Sequence, residues 1–196
     1  MDTSSQNLMQ QEAAIAATTS LGRTARFMLI AAGCLALAMS AVVKVPVPGT
    51  DVPGTLQLLA VISVGLWLAP RDALAATGSY LMLGTLGLPV FAAGSLGLWG
   101  QTGGYLIGFM VAAMVVSTIS GRSDRAGFAV RAALAAVAGL VIVLTCGTVW
   151  RAIWLGSLST AFATSVMPFL IKGMAEAGIA WLVAVSASPL LARTRK

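Results

Sequence analysis

Histidine is missing from all 196 residues of this chain, which removes the commonest metal ligand and the commonest general base. Only two cysteines occur. Cys34 falls near the middle of one apolar run and Cys146 near the outer end of another. A disulfide between them is not expected, and two thiols without histidine make no zinc site. Charge is equally scarce: 9% of residues carry one, against about 25% in soluble domains, while 58% are hydrophobic. That balance describes an integral membrane protein. No GxxxxGK[ST] phosphate loop is present, so the chain does not drive transport by hydrolysing ATP itself, and the GxGxxG dinucleotide fingerprint is absent too. Serines have no histidine to activate them, and no pair of membrane-embedded carboxylates invites acid/base chemistry. Neither enzymatic activity nor a cofactor is expected.

What is present is length for about six spans of ~20 residues behind an N-terminal tail. The net charge is +6. In a soluble protein it would raise nucleic-acid binding, but here the basic residues sit at the ends of apolar runs and report topology. Arg23, Arg26, Arg71, Arg122, Arg125, Arg131, Arg193, Arg195 and Lys196 lie on one side, with Lys44, Arg151 and Lys172 on the other. The bias puts both termini in the cytoplasm.

In chain order, residues 1–22 read as a cytoplasmic tail, frayed or a short surface helix, and 23–196 as a six-helix membrane domain. The first span is Phe27 to Val43. Within it Ala32, Ala36 and Ser40 recur every four residues, which lays small side chains along one face where another helix can approach closely. Alanine is common here, so the periodicity is equally compatible with chance. Three prolines and two glycines between Lys44 and Gly54 mark a structured loop. A short second span opens with Thr55-Leu-Gln57, whose glutamine faces either water or a ligand. The third span runs from Ala73 to Leu88, the fourth from Tyr105 to Ser120, the fifth from about Gly127 to Val149, and the sixth from about Pro168 to Leu191.

Between the third and fourth spans, Leu88 to Phe109 carries glycine at 94, 97, 100, 103, 104 and 108, too dense for a helix interior. Non-helical backbone at membrane depth survives only buried in protein or lining a cavity, so this stretch supplies Ser95, Trp99, Gly103, Gly104 and Tyr105 as candidate ligand contacts. Trp99, Trp150 and Trp154 read first as an outer aromatic belt and second as pocket walls. Lys172 and Glu176 share a helix face at i, i+4 and are either ligand groups or a self-neutralising pair. The proline-rich loop, the glycine-rich stretch and a turn at Pro168-Phe169 all fall on the outer face, which predicts a pocket open to the outside.

These residues resemble the BioY family, the biotin-specific substrate-binding (S) components of energy-coupling-factor (ECF) transporters. The resemblance covers about residues 40 to 185. It rests on Val45-Pro-Val-Pro48 with Thr55-Leu-Gln57, on Gly87-Leu-Pro-Val-Phe91, on Gly100-Gln-Thr-Gly-Gly-Tyr-Leu-Ile-Gly-Phe109 and on Pro168-Phe-Leu170. It implies an all-α membrane protein of six transmembrane helices that binds biotin from the outside and docks on a transmembrane coupling subunit (EcfT-type) driven by two cytoplasmic ATPase subunits. Toppling in the bilayer would carry the ligand inward. In this superfamily small residues of the first span form the coupling surface, which Ala32, Ala36 and Ser40 match. Gln101 stands where the family usually has proline, and Gly173 and Glu176 stand where it has aspartate and lysine. On this reading Lys172 meets the biotin carboxylate, while Gln57 or Glu176 accepts from the ureido ring elsewhere. The alternatives are a stand-alone secondary transporter and an S component for another small vitamin.

Overall fold

The computed structural model describes residues 3–50, 52, 54–92, 97–121 and 125–188, with side chains from Gly22 onward except at 125 and 126. Six α-helices, one two-stranded hairpin and a short 3-10 turn at Gly97–Trp99 make up the described fold. Helix α1 (Thr3–Val42) runs unbroken through the stretch expected as a tail, where no glycine or proline precedes Gly22 to interrupt it. It stops before Pro46 and Pro48, which restrict the residues ahead of them to extended conformations. Gly33, Leu37 and Ala41, four apart, form its buried face, and Gly33 lies against Ala76 and Val64. Ala32 and Ala36 are exposed on the outer flank of the same helix, and Ser40 is half-buried.

Strands β1 (Lys44–Val45) and β2 (Gly54–Thr55) pair antiparallel, Lys44 opposite Thr55 and Val45 opposite Gly54. Glycine is required at 54, because a Cβ there would overlap the Val45 carbonyl and the Val47 side chain. The hairpin delivers the chain into α2 (Gln57–Trp67), an 11-residue helix surrounded by protein, with Leu58, Ala60, Val61, Ile62, Val64 and Leu66 buried. All five other helices pack against it. Pro70, in the first turn where its missing N–H costs nothing, starts α3 (Pro70–Thr85). Helices α4 (Gly103–Ser120), α5 (Arg125–Leu155) and α6 (Leu158–Ser186) complete the bundle.

By length and composition four helical segments are apolar enough to cross a membrane: Gly22–Val42, Gly103–Ser120, Gly127–Leu155 and Leu158–Ser186. The protein is an all-α, multi-pass membrane protein. The second and third of the expected spans correspond to the shorter α2 and α3. Polar contacts sort the two ends of the bundle as the charge count requires. At one end Arg26 Nε binds Asp72 Oδ1 at 2.6 Å, Ser117 Oγ donates to the Leu68 carbonyl at 2.6 Å and Arg131 Nε donates to the Ile119 carbonyl at 3.1 Å. At the other end are the hairpin and the buried Arg151, whose guanidinium donates to Thr164 Oγ1 at 3.2 Å.

One expected turn is not there. Pro168 lies inside α6, which begins ten residues earlier behind Ser157, an N-cap whose Oγ accepts from the Thr160 N–H at 3.3 Å. Proline is tolerated in membrane helices because neighbouring helices and side chains re-satisfy the freed backbone. Phe169 therefore reaches the protein interior from a helix rather than from a loop.

Candidate ligand-binding site

The site is built around Thr55, where the hairpin meets α2. Its side-chain hydroxyl donates to Gln57 Oε1 at 2.9 Å, and Gln57 Nε2 donates to the Tyr80 hydroxyl on α3 at 2.7 Å. The Thr55 backbone carbonyl accepts from Lys172 Nζ on α6, and the same ammonium donates to Glu176 Oε1 at 2.6 Å. Hairpin, α2, α3 and α6 are thus tied by four hydrogen bonds among five residues. Thr55, Gln57 and Glu176 are buried, and the Lys172 side chain is 14% exposed.

These groups edge a cavity with about 680 Å³ of atom-free space continuous with the exterior. Thr55, Gln57 and Lys172 face it. Its apolar walls come from Leu58 of α2, Leu106 and Phe109 of α4, Val143 and Leu144 of α5, and Phe169 of α6. Val52, Ala92, Thr102 and Tyr105, from the loops and the start of α4, and Gly173 of α6 complete the lining. Thr102 Oγ1 is buried there without a hydrogen-bond partner among the described residues. A mostly apolar concavity with a few convergent polar groups is the usual form of a small-molecule site.

Of the candidate ligand contacts, Gln57, Tyr105 and Lys172 line the cavity. Glu176 does not line it, but stands behind Lys172 and neutralises it. Trp99 does not line it either: it is 81% exposed on the surface. The aromatic-belt reading fits its position, and Trp154 is likewise exposed. Gly103 and Gly104 act in packing rather than in the lining. A Cβ on Gly103 would overlap the Leu98 carbonyl, and one on Gly104 would overlap Trp150 and the Cys146 carbonyl, so α4 and α5 meet with backbone in contact. Trp150 locks that junction by donating from Nε1 to the Gly100 carbonyl at 2.9 Å. Ser95 lies outside the described residues.

Lys172 and Gln57, expected at opposite ends of a ligand, bond to the same threonine. The ammonium is already answered by Glu176. A compensated pair beside an amide is a donor-and-acceptor cluster for a neutral polar group rather than a bare cation awaiting an anion. Tyr80 was missed as a partner of this cluster, and Thr102, Phe109 and Val143 as lining. A tyrosine inside an apolar run is compatible with either role until its hydroxyl partner is known.

Comparison with known proteins follows the same lines. The chain matches the BioY family over residues 9–193. It is 34% identical over 136 residues to the "Probable biotin transporter BioY" of Pyrococcus horikoshii, covering 68% of this chain and 78% of that one. It is 30% identical over 160 residues to the "Biotin transporter BioY" of Thermotoga maritima, covering 80% and 93% respectively. Among solved structures the fold matches the S-component for biotin from an ECF-type ABC transporter with a TM-score of 0.72 at 19% identity, over 85% of this chain and 92% of that one. With the family model matching nearly the whole of this chain and curated relatives matched at this identity, the chain belongs to the BioY family.

Proposed function

We propose that this protein captures biotin from the outside and serves as the S component of an ECF-type ABC transporter. The observation that carries the reading is the Thr55–Gln57–Lys172 cluster at the edge of an apolar cavity. Biotin joins a bicyclic ureido head, rich in N–H and C=O groups, to an apolar chain ending in a carboxylate. The ureido head fits the cluster: Lys172 and Gln57 supply N–H donors for its oxygen, and Gln57 Oε1 and Thr55 Oγ1 supply acceptors for its N–H groups. Leu58, Phe109, Val143 and Phe169 cover the sulfur ring and chain. The carboxylate, which needs water or unpaired donors, goes to the loop side of the cavity, where Thr102 Oγ1 has no partner among the described residues.

Transport then requires partners. No ATP-binding loop occurs in the sequence, which fits a division of labour with an EcfT-type coupling subunit and two cytoplasmic ATPases. The exposed Ala32 and Ala36, with Ser40 beside them, leave a small-residue track on α1 open for that subunit. Equilibrium binding of radiolabelled biotin to the purified chain, with lipoate and thiamine as competitors, tests the ligand. Absence of saturable biotin binding, with saturable binding of labelled thiamine or lipoate in its place, would assign the site to another vitamin. Uptake against a gradient by the chain alone in liposomes, without ATPases, would favour a secondary transporter instead.

A further inference from the structure

Tyr80 is fully buried on α3 and is not among the residues that line the cavity, yet its hydroxyl is the second anchor of the Gln57 amide. The ring is held in place by Phe91, edge-on at 5.4 Å between centroids and 78° between planes. A glutamine amide has two N–H donors and two acceptor lone pairs, and its last torsion is broad and roughly two-fold. Thr55 and Tyr80 grip this amide at its oxygen and its nitrogen from two different elements, which fixes the plane. One N–H and one lone pair are left over on the same planar group. That is the complement of the adjacent C=O and N–H of a cyclic urea.

We propose that Tyr80 is a positioning residue for ligand specificity: acting through Gln57, it holds the amide in the plane that selects a cyclic urea over acids of similar chain length without one. The inference rests on the biotin reading above. Tyr80→Phe is the minimal probe, since it keeps the ring and its packing on Phe91 and deletes one oxygen. The assay is equilibrium binding of biotin, and of lipoate as a urea-free acid with a similar tail, to full-length protein in detergent. Measurements cover wild type, Tyr80→Phe, Gln57→Leu and the double variant.

Loss of one neutral hydrogen bond to the amide is expected to lower biotin affinity roughly threefold to tenfold. Lipoate binding is expected to stay unchanged, and Tyr80→Phe to have no further effect once Gln57 is leucine. This last outcome distinguishes positioning from packing, because a merely structural loss would be additive in the two backgrounds. Wild-type affinity in Tyr80→Phe, an equal loss for lipoate, or an equal loss in the Gln57→Leu background overturns the role of Tyr80 and leaves the biotin reading standing. Absence of biotin binding by the wild type overturns both. Should Tyr80→Phe fail to fold, recovery of folding in the double variant supports the coupling, and failure of both variants overturns it.

Discussion

Replacing Lys172 by methionine separates what the Lys172–Glu176 pair does for the fold from what it does for the ligand. Methionine keeps the length of the side chain and removes the charge. Glu176, whose side chain is 4% exposed, then stays buried without its cation, and the Thr55 carbonyl loses its donor. Breaking a buried pair from one side costs about 3–5 kcal/mol, a large share of the roughly 5–15 kcal/mol that holds a domain folded. Replacing both partners, Lys172→Met with Glu176→Leu, removes the orphaned charge, and such exchanges are neutral or stabilising by about 1–4 kcal/mol. Thermal unfolding in detergent is therefore expected to fall sharply in the single variant and to return to wild-type level or above in the double. Biotin affinity follows a different pattern. The ammonium faces the cavity, and a charge-assisted hydrogen bond is worth about 1.5–3 kcal/mol, so both variants are expected to bind biotin roughly tenfold to a hundredfold more weakly. Because the ureido head is the part assigned to this cluster, the loss is expected to be equal for biotin and for biotin amides. A larger loss for the free acid would return Lys172 to the carboxylate. A double variant with both stability and affinity restored would refute any ligand role for the pair.

Three further outcomes follow from the packing. Trp99→Ala, at an 81% exposed position off the cavity, is expected to change biotin affinity by less than about 0.5 kcal/mol, as measured by equilibrium binding. Gly104→Leu forces a side chain into Trp150 and the Cys146 carbonyl, and it is expected to lower the unfolding temperature and the yield of folded protein, since overpacking costs about 1–3 kcal/mol or more. Ala36→Leu fills the exposed track on α1 and is expected to abolish co-purification with the coupling subunit while leaving biotin binding by the isolated chain intact.

The membrane class and the order of the helices were legible in the sequence because a shortage of charge and a run of apolar segments are signals of composition, and the termini of those segments carry the basic residues. The Lys172–Glu176 pair was legible because i, i+4 spacing on a helix fixes proximity without any tertiary information. Contacts between distant segments were not. Nothing in the run around Tyr80 reveals that its hydroxyl meets Gln57, 23 residues away in the chain. The same holds for the Lys172 ammonium and the Thr55 carbonyl, 117 residues apart, whose meeting gathers into one cluster the groups that the sequence assigned to opposite ends of a ligand. Pro168 misled for a local reason: proline ends helices in water far more reliably than inside a bundle. Glycines 103 and 104 misled because the same property, absence of a side chain, serves close approach of a ligand and close approach of a helix equally well.

The shortness of α2 determines how deep a ligand sits. Eleven residues at 1.5 Å each reach only ~16 Å, about half of a ~30 Å hydrocarbon core. The helix ends at the cytoplasmic turn before Pro70, so the missing length is all at the outer end, and the cavity lies there, in line with Gln57 and Leu58. A ligand in this position takes the place of about two and a half absent turns. Occupied, the bundle has a continuous central column from one face to the other. Empty, it has a column that lacks nearly half its length at the outer end, beside the hairpin and α6.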